Sequence, residues 1–154
     1  SEGTLGRQHL YELLDLVDQS ELVYILETNG MTLGDDPAFA KSLASYKNLH
    51  VRVSIKGCNP DEFHRLTGAR ASAYDLPFKA LKYLIDAGVS CNACVSVSFS
   101  DREGISGIEK TLCSIHPGML KSLELERIKL FPKVRKRLSA EGLIANRGVS
   151  CAQK

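Results

Sequence analysis

Residues 89–99 alternate in character, and that alternation restricts the fold more than any other feature of the chain. Val89, Cys91, Ala93, Val95, Val97 and Phe99 fall on one side of an extended backbone, while Ser90, Asn92, Cys94, Ser96 and Ser98 fall on the other. Successive side chains of a strand point to opposite faces, so this segment asks for a sheet with one apolar and one polar face. Residues 51–56 repeat the pattern, with Val51, Val53 and Ile55 opposed to Arg52, Ser54 and Lys56. A strand inside an open doubly wound sheet is covered by helices on both sides and is apolar on both. Two segments that each keep a polar face instead imply helices on one side only. The polar faces then line a shared interior, as in a wide or incomplete (β/α) barrel around a polar ligand. A packed eight-stranded barrel would fill that space with Val, Ile and Leu. A sheet with one face open to water satisfies the same alternation.

The rest of the chain supplies the helices. Leu10, Leu13, Leu14 and Val17 recur at helical spacing, and the apolar run Leu22-Val23-Tyr24-Ile25-Leu26 then reads as a buried strand ending at Asn29-Gly30. Pro37 opens a helix near Asp35-Asp36, with Phe39, Leu43 and Tyr46 on its buried side. A strand at 50–56 follows, then a short helix at 61–66 stopped by Thr67-Gly68, and a stronger helix over Pro77–Ala87 closed by Gly88. Beyond the strand at 89–99 come a helix at 104–115, a strand at 122–131 and a basic helix at 133–141. Alternating helices and strands are the mark of βαβ units and a parallel sheet. The expectation is one domain over 1–154, an α/β partial barrel of about four βα units with a basic helical tail over 133–154.

Twenty basic against 18 acidic residues leave a net charge of +2, too little for an overall field that draws nucleic acid or an anionic membrane surface. No apolar run reaches the roughly 18 residues of a membrane span, and no secretory leader pattern opens the chain. Cys58, Cys91, Cys94, Cys113 and Cys151 are an odd, scattered set, which argues for reduced thiols and a cytoplasmic protein. Ser1-Glu2-Gly3-Thr4 leads at once into the first helical pattern with no strand before it, the pattern expected of a piece of a longer barrel.

Several short segments carry chemistry at strand ends, where α/β folds place their ligands. Glu27-Thr28-Asn29-Gly30 offers a carboxylate for an ammonium group and an amide for a carboxylate or base edge; taken alone, Asn-Gly is a turn. Ser54-Ile55-Lys56 offers a hydroxyl and an ammonium on one side; taken alone, a strand-end lysine is solvated. His64, just before Thr67-Gly68, is either a donor near the site mouth or part of a helix end. Cys91 and Cys94 have the spacing of a metal knuckle, yet on a strand they project to opposite faces. The basic run Lys129, Lys133, Arg135, Lys136 and Arg137 is a solvated helix face or a dock for an acidic or phosphorylated partner.

In their order along the chain, these segments resemble the pyruvate formate-lyase activating enzyme branch of the radical S-adenosylmethionine (SAM) family. Glu27-Thr28-Asn29-Gly30 resembles the family's acidic-Thr-Asn-Gly strand end, and Val53-Ser54-Ile55-Lys56 its apolar-Asp-apolar-Lys segment. His64-Arg65-Leu66-Thr67-Gly68 is similar to its His-x-x-Leu-Thr-Gly stretch. Val95-Ser96-Val97 with Asp101 resembles the fifth strand and its loop, and Ile128-Lys129-Leu130-Phe131-Pro132 the exit of the sixth. Ser1-Glu2-Gly3-Thr4 resembles the tail of a Gly-Gly-Glu-Pro motif with Gly3 in the proline's place. Ser54 stands where relatives carry aspartate, Cys94 where they carry arginine and Val134 where they carry histidine.

The resemblance implies a barrel that binds SAM and cleaves it reductively with a 4Fe-4S cluster to give a 5′-deoxyadenosyl radical. A glycyl-radical enzyme would be the protein substrate, and flavodoxin or ferredoxin the electron donor. It also implies SAM contacts at Glu2, Glu27, Asn29, Ser54, Lys56 and His64. The cluster's Cys-x-x-x-Cys-x-x-Cys triplet does not occur in these 154 residues, so the resemblance places its ligands elsewhere and implies that this piece alone is inactive. Two other classes compete: a non-catalytic barrel-like module that docks an acidic partner through Lys133–Arg137, and a metabolic barrel for a phosphorylated substrate. The second lacks a Gly-rich phosphate turn after the last strands.

Overall fold

The computed structural model describes residues 2–146 and 148–150. After a short 3-10 turn, α1 (Arg7–Asp18) buries Leu10 and Leu14 at i, i+4 spacing. The Asp18 carboxylate then accepts from the backbone N–H groups of Lys47 and Asn48 at 3.2 and 3.0 Å, which anchors the helix end beside the start of the second strand. Strand β1 (Tyr24–Thr28) begins two residues later than the apolar run predicts. Its ladder to β2 (Leu49–Lys56) opens at Tyr24 and Leu49, so Leu22 and Val23 precede the pairing and stay exposed.

Between these strands the expected helix is two short ones, α2 (Met31–Asp35) and α3 (Pro37–Ser42). Asp36 separates them: it caps α3 by accepting from the N–H groups of Ala38 and Phe39, with Pro37 in the first turn. Tyr46 lies beyond α3 and stacks on Tyr11 of α1 instead, ring centroids 6.2 Å apart. After β2, Asn59 caps α4 (Pro60–Thr67), and Gly68 ends it in the left-handed region. Helix α5 (Leu76–Asp86) leads to β3 (Cys91–Ser96), then α6 (Arg102–Ile115), capped by Asp101.

The last predicted strand is broken into β4 (Glu124–Glu126) and β5 (Lys129–Leu130). The Ser98 hydroxyl accepts from the Ile128 N–H at 2.7 Å, so a side chain takes the place of a ladder partner where the chain leaves the sheet. Helix α7 (Pro132–Ala140) carries Lys133, Arg135, Lys136 and Arg137 of the basic run, Lys129 lying in β5, and β6 (Val149–Ser150) pairs in parallel with β5. Cys151 lies outside the described residues.

The main sheet is parallel with strand order β1-β2-β3-β4, the same as the order in the chain. Right-handed crossovers in a sequentially ordered parallel sheet leave every helix on one side, whereas a doubly wound sheet reverses order at a switch point. The burial pattern agrees. Leu26, Leu49, Val51, Val53, Ile55, Ala93 and Val95 are buried with Leu33, Phe39, Leu43, Leu81, Leu84, Ile108 and Leu112 from the helices. Each fully buried aliphatic or aromatic side chain there contributes about 1.5–3 kcal/mol. Two glycines set how close the layers come. Gly30 ends β1 at φ 75°, and a Cβ there would lie 2.9 Å from Val53. A Cβ on Gly34 would overlap the Leu76 carbonyl, so α2 rests backbone to backbone on the start of α5. Among the described residues no helix is long and apolar enough to cross a membrane.

Candidate functional site

The sheet face away from the helices is built in rows by the strand register. Glu27, Arg52 and Asn92 are neighbours across β1, β2 and β3. One step toward the carboxyl ends come Ser54, Cys94 and Glu124, and after them Lys56, Ser96 and Glu126. Alternation thus gathers onto one face residues up to a hundred positions apart in the sequence.

Arg52 is the centre of that face. Its Nη1 donates to Glu27 Oε1 at 2.6 Å; Nε and Nη2 reach both Glu124 oxygens at 2.8–3.2 Å; Nη2 also reaches Glu126 Oε1 and Cys94 Sγ, each at 3.1 Å. The five N–H groups of the guanidinium are spread over six contacts, so the Nε hydrogen is shared between the two Glu124 oxygens and the two on Nη2 among three acceptors. The hydrogen bond to Glu124 is the main reason the Arg52 pKa rises further, and in return Arg52, then Asn92, hold the Glu124 carboxyl below its usual range. Burial pushes the Glu126 carboxyl up, but the Cys94 thiol, Lys56 and Arg52 outweigh it, leaving that pKa lowered too. Cys94 is fully buried, and burial together with neighbouring Glu126 pushes its thiol up to about 12. It is a neutral S–H donor and not a thiolate.

The network extends to the amino ends of the strands. Asn92 Nδ2 donates to Glu124 Oε1 and to the Ser122 carbonyl, at 2.7 and 3.1 Å, which leaves Asn92 Oδ1 as an acceptor. His50 Nε2 lies 3.0 Å from that oxygen and so carries the proton, while Nδ1, 2.8 Å from the Ser90 hydroxyl, accepts in the neutral ring.

The six residues expected at the site separate into three groups. Glu27, Ser54 and Lys56 share the polar face; Lys56 Nζ stands 3.5 Å from Glu126 Oε2, and the Ser54 hydroxyl makes no hydrogen bond within the described residues. Glu2 and Asn29 meet at the carboxyl end of β1. Glu2 Oε1 accepts from the Thr4 and Thr28 hydroxyls at 2.6 and 2.7 Å, and Oε2 from the Asn29 N–H at 2.8 Å. Burial raises the Glu2 pKa, but these donors outweigh it and hold the carboxyl low. Asn29 Oδ1 in turn accepts from the Met31 N–H, closing the turn at Gly30. His64 stands apart from both groups, exposed on α4, where Nδ1 donates to the Ala69 carbonyl at 2.8 Å beyond the helix end.

A cavity of about 310 Å³ lined by Ser96, Phe99, Glu126, Arg127 and Ile128 opens at the carboxyl ends of β3 and β4. A second, of about 440 Å³, lies on the helix side among Cys58, Tyr74, Phe78 and Ile108. Cys58, Cys91, Cys94 and Cys113 are free thiols; burial pushes the Cys91 thiol up to about 11 and Cys58 upward as well. Among the described residues no group of three or more His, Cys, Asp or Glu is placed to hold a metal ion.

No family model and no curated protein sequence matches the chain. Two solved structures do: native anSMEcpe with bound AdoMet, and a hexahistidine-tagged form of anSMEcpe with bound AdoMet. The first has a TM-score of 0.61 at 18% identity over 97% of this chain and 47% of that one. The second has a TM-score of 0.60 at 18% identity, over 97% and 45%. The chain therefore spans about half the length of the structures it matches, and what the likeness shows is the fold. A four-stranded parallel α/β sheet with helices on one side is the architecture of a partial barrel, as the sequence pattern predicts.

Arg52, Asn92, Glu124 and Glu126 are site residues that motif reading passed over. Their signal was nonetheless present. Arg52 shares a face with Ser54 and Lys56 by simple alternation, and Glu124-Leu125-Glu126 repeats the same period inside the predicted fourth strand.

Proposed function

We propose that the polar face of the sheet binds S-adenosylmethionine, and that the chain is part of a radical SAM enzyme. The observation that carries this is the placement of Glu27, Ser54 and Lys56 on one face of adjacent parallel strands, at their carboxyl ends. The fold likeness to anSMEcpe, an anaerobic sulfatase-maturating enzyme with bound AdoMet, supports it, as does the order of motifs along the sequence. The residues present suit the methionyl end of the ligand. Lys56 offers an ammonium to a carboxylate, Ser54 a hydroxyl, and Glu27, whose side chain is 67% exposed with one oxygen held by Arg52, offers the other to an ammonium. Glu2 acts through the Asn29 turn, which it clamps from below.

When bound, SAM supplies the sulfur–carbon bond that radical SAM chemistry cleaves. The chain's own residues bind and orient it, an alignment effect and not acid–base work. The described cysteines do not fit an iron–sulfur cluster, and on this reading its cysteine triplet lies in polypeptide outside these 154 residues. Motif order alone supports a glycyl-radical enzyme as the substrate. Calorimetric titration with SAM tests the binding: Lys56→Ala should weaken it about tenfold or more, while Lys82→Ala, on the helix side, should leave it unchanged. Equal loss in both variants, or no heat with the unsubstituted chain, would refute it.

A second reading has its own observation. Arg127, Lys129, Lys133, Arg135, Lys136 and Arg137 place six cations with no acid in eleven residues, leaving 14 basic side chains against 18 acidic ones elsewhere. Such segregation suits docking of an acidic protein surface along α7, beside the cavity that Arg127 lines. Steep salt dependence of partner capture, abolished by Lys133→Glu with Arg137→Glu, would favour it.

A further inference from the structure

Glu126 sits between two cations. Its Oε1 lies 3.1 Å from Arg52 Nη2, and its Oε2 lies 3.5 Å from Lys56 Nζ. Both are ion pairs; the first is also a hydrogen bond, whereas the second is longer than a direct one. The polar face carries three carboxylates, Glu27, Glu124 and Glu126, and all three touch Arg52. Lys56 is therefore close to a carboxylate that is already engaged.

We infer that Arg52 is a positioning residue, which shares Glu126 with Lys56, keeps that ion pair long, and so leaves the Lys56 ammonium able to turn to a ligand carboxylate. The functional half of this rests on the SAM-binding reading above. The physical half does not. With the guanidinium removed, Lys56 is the cation that already stands 3.5 Å from Glu126, and the attraction of unit charges at that separation in a partly desolvated site favours closing the remaining gap of about 0.7 Å to a direct hydrogen bond. Lys56 then pairs directly with Glu126 and is lost to the ligand. Arg52 itself need not touch the ligand, because its donors are directed to Glu27, Cys94, Glu124 and Glu126.

The arrangement predicts a rescue that a merely structural role would not give. Crystal structures and SAM titrations of Arg52→Gln, Glu126→Gln and the double variant carry the test. In Arg52→Gln, the Lys56 to Glu126 separation should shorten to about 2.8 Å, and SAM affinity should fall about tenfold. Adding Glu126→Gln should restore affinity to within about threefold of the starting chain. If Arg52→Gln does not fold, Arg52→Met replaces it: the donors and the charge are lost, the stem stays, and the same rescue is expected. An unmoved Lys56 in Arg52→Gln, or a double variant as weak as the single one, would overturn the inference. Absence of SAM binding to the unsubstituted chain would end the ligand reading while leaving the Lys56 displacement to decide this one.

Discussion

The two faces of one strand, β2, behave as different materials. Val51, Val53 and Ile55 are fully buried under helices, and their partners are interchangeable aliphatic side chains. Arg52 and Lys56, between them on the chain, meet specific polar groups while staying in reach of water, and Ser54 lies half-buried on the same face. The apolar face stabilises the fold by area, which is non-directional. The polar face is held by hydrogen bonds among groups as far apart as Arg52 and Glu126, where each distance matters. The first face makes the sheet; the second is the one proposed to bind.

Substitutions on each face should separate these roles. Leu81→Ala removes a fully buried side chain beneath the sheet and should cost about 2–5 kcal/mol in urea unfolding. Gly34→Ala drives a methyl group into the Leu76 carbonyl where α2 rests on α5, and should cost about 1–3 kcal/mol by the same measurement. Arg52→Gln should cost only about 1 kcal/mol, because its carboxylate partners are 40–67% exposed and water takes over much of their solvation. An Arg52→Gln loss as large as that of Leu81→Ala would erase the distinction between the faces.

Acid should have the smallest effect, and its sign is fixed. Glu124 and Glu126 titrate below the ordinary 4.5 in the folded chain, so the fold favours their ionised forms. Their contribution is complete above that value and is lost as pH falls through the depressed folded range. Melting temperature measured from about pH 6 down to about pH 3 should therefore decline, and in Arg52→Gln the decline should be shallower. A steeper decline in the variant would contradict the role given to Arg52.

The sheet was legible in the sequence because alternation is local: Val51-to-Lys56 and the residues after Val89 state their faces within a few positions. Where pairing set the answer, local pattern fell short. Leu22 and Val23 look like strand but precede the register fixed by Tyr24 and Leu49, and the fourth strand breaks where Ser98 captures the Ile128 N–H. The candidate site divides in the same way. Glu27, Ser54 and Lys56 were visible as strand-end polar residues, whereas the importance of Arg52 depends on carboxylates 25 to 74 positions away, which no local motif encodes. His64 shows the converse, a motif residue whose hydrogen bond closes its own helix end and not the sheet face.

The central claim is that the polar face, and not the helix side, is where a ligand goes. A crystal structure of the chain soaked with SAM tests it most directly. The account predicts ligand density at the carboxyl ends of β1 to β3, in contact with Glu27 and Lys56. Density instead in the helix-side cavity beside Cys58 and Tyr74, with the polar face unchanged, would contradict it.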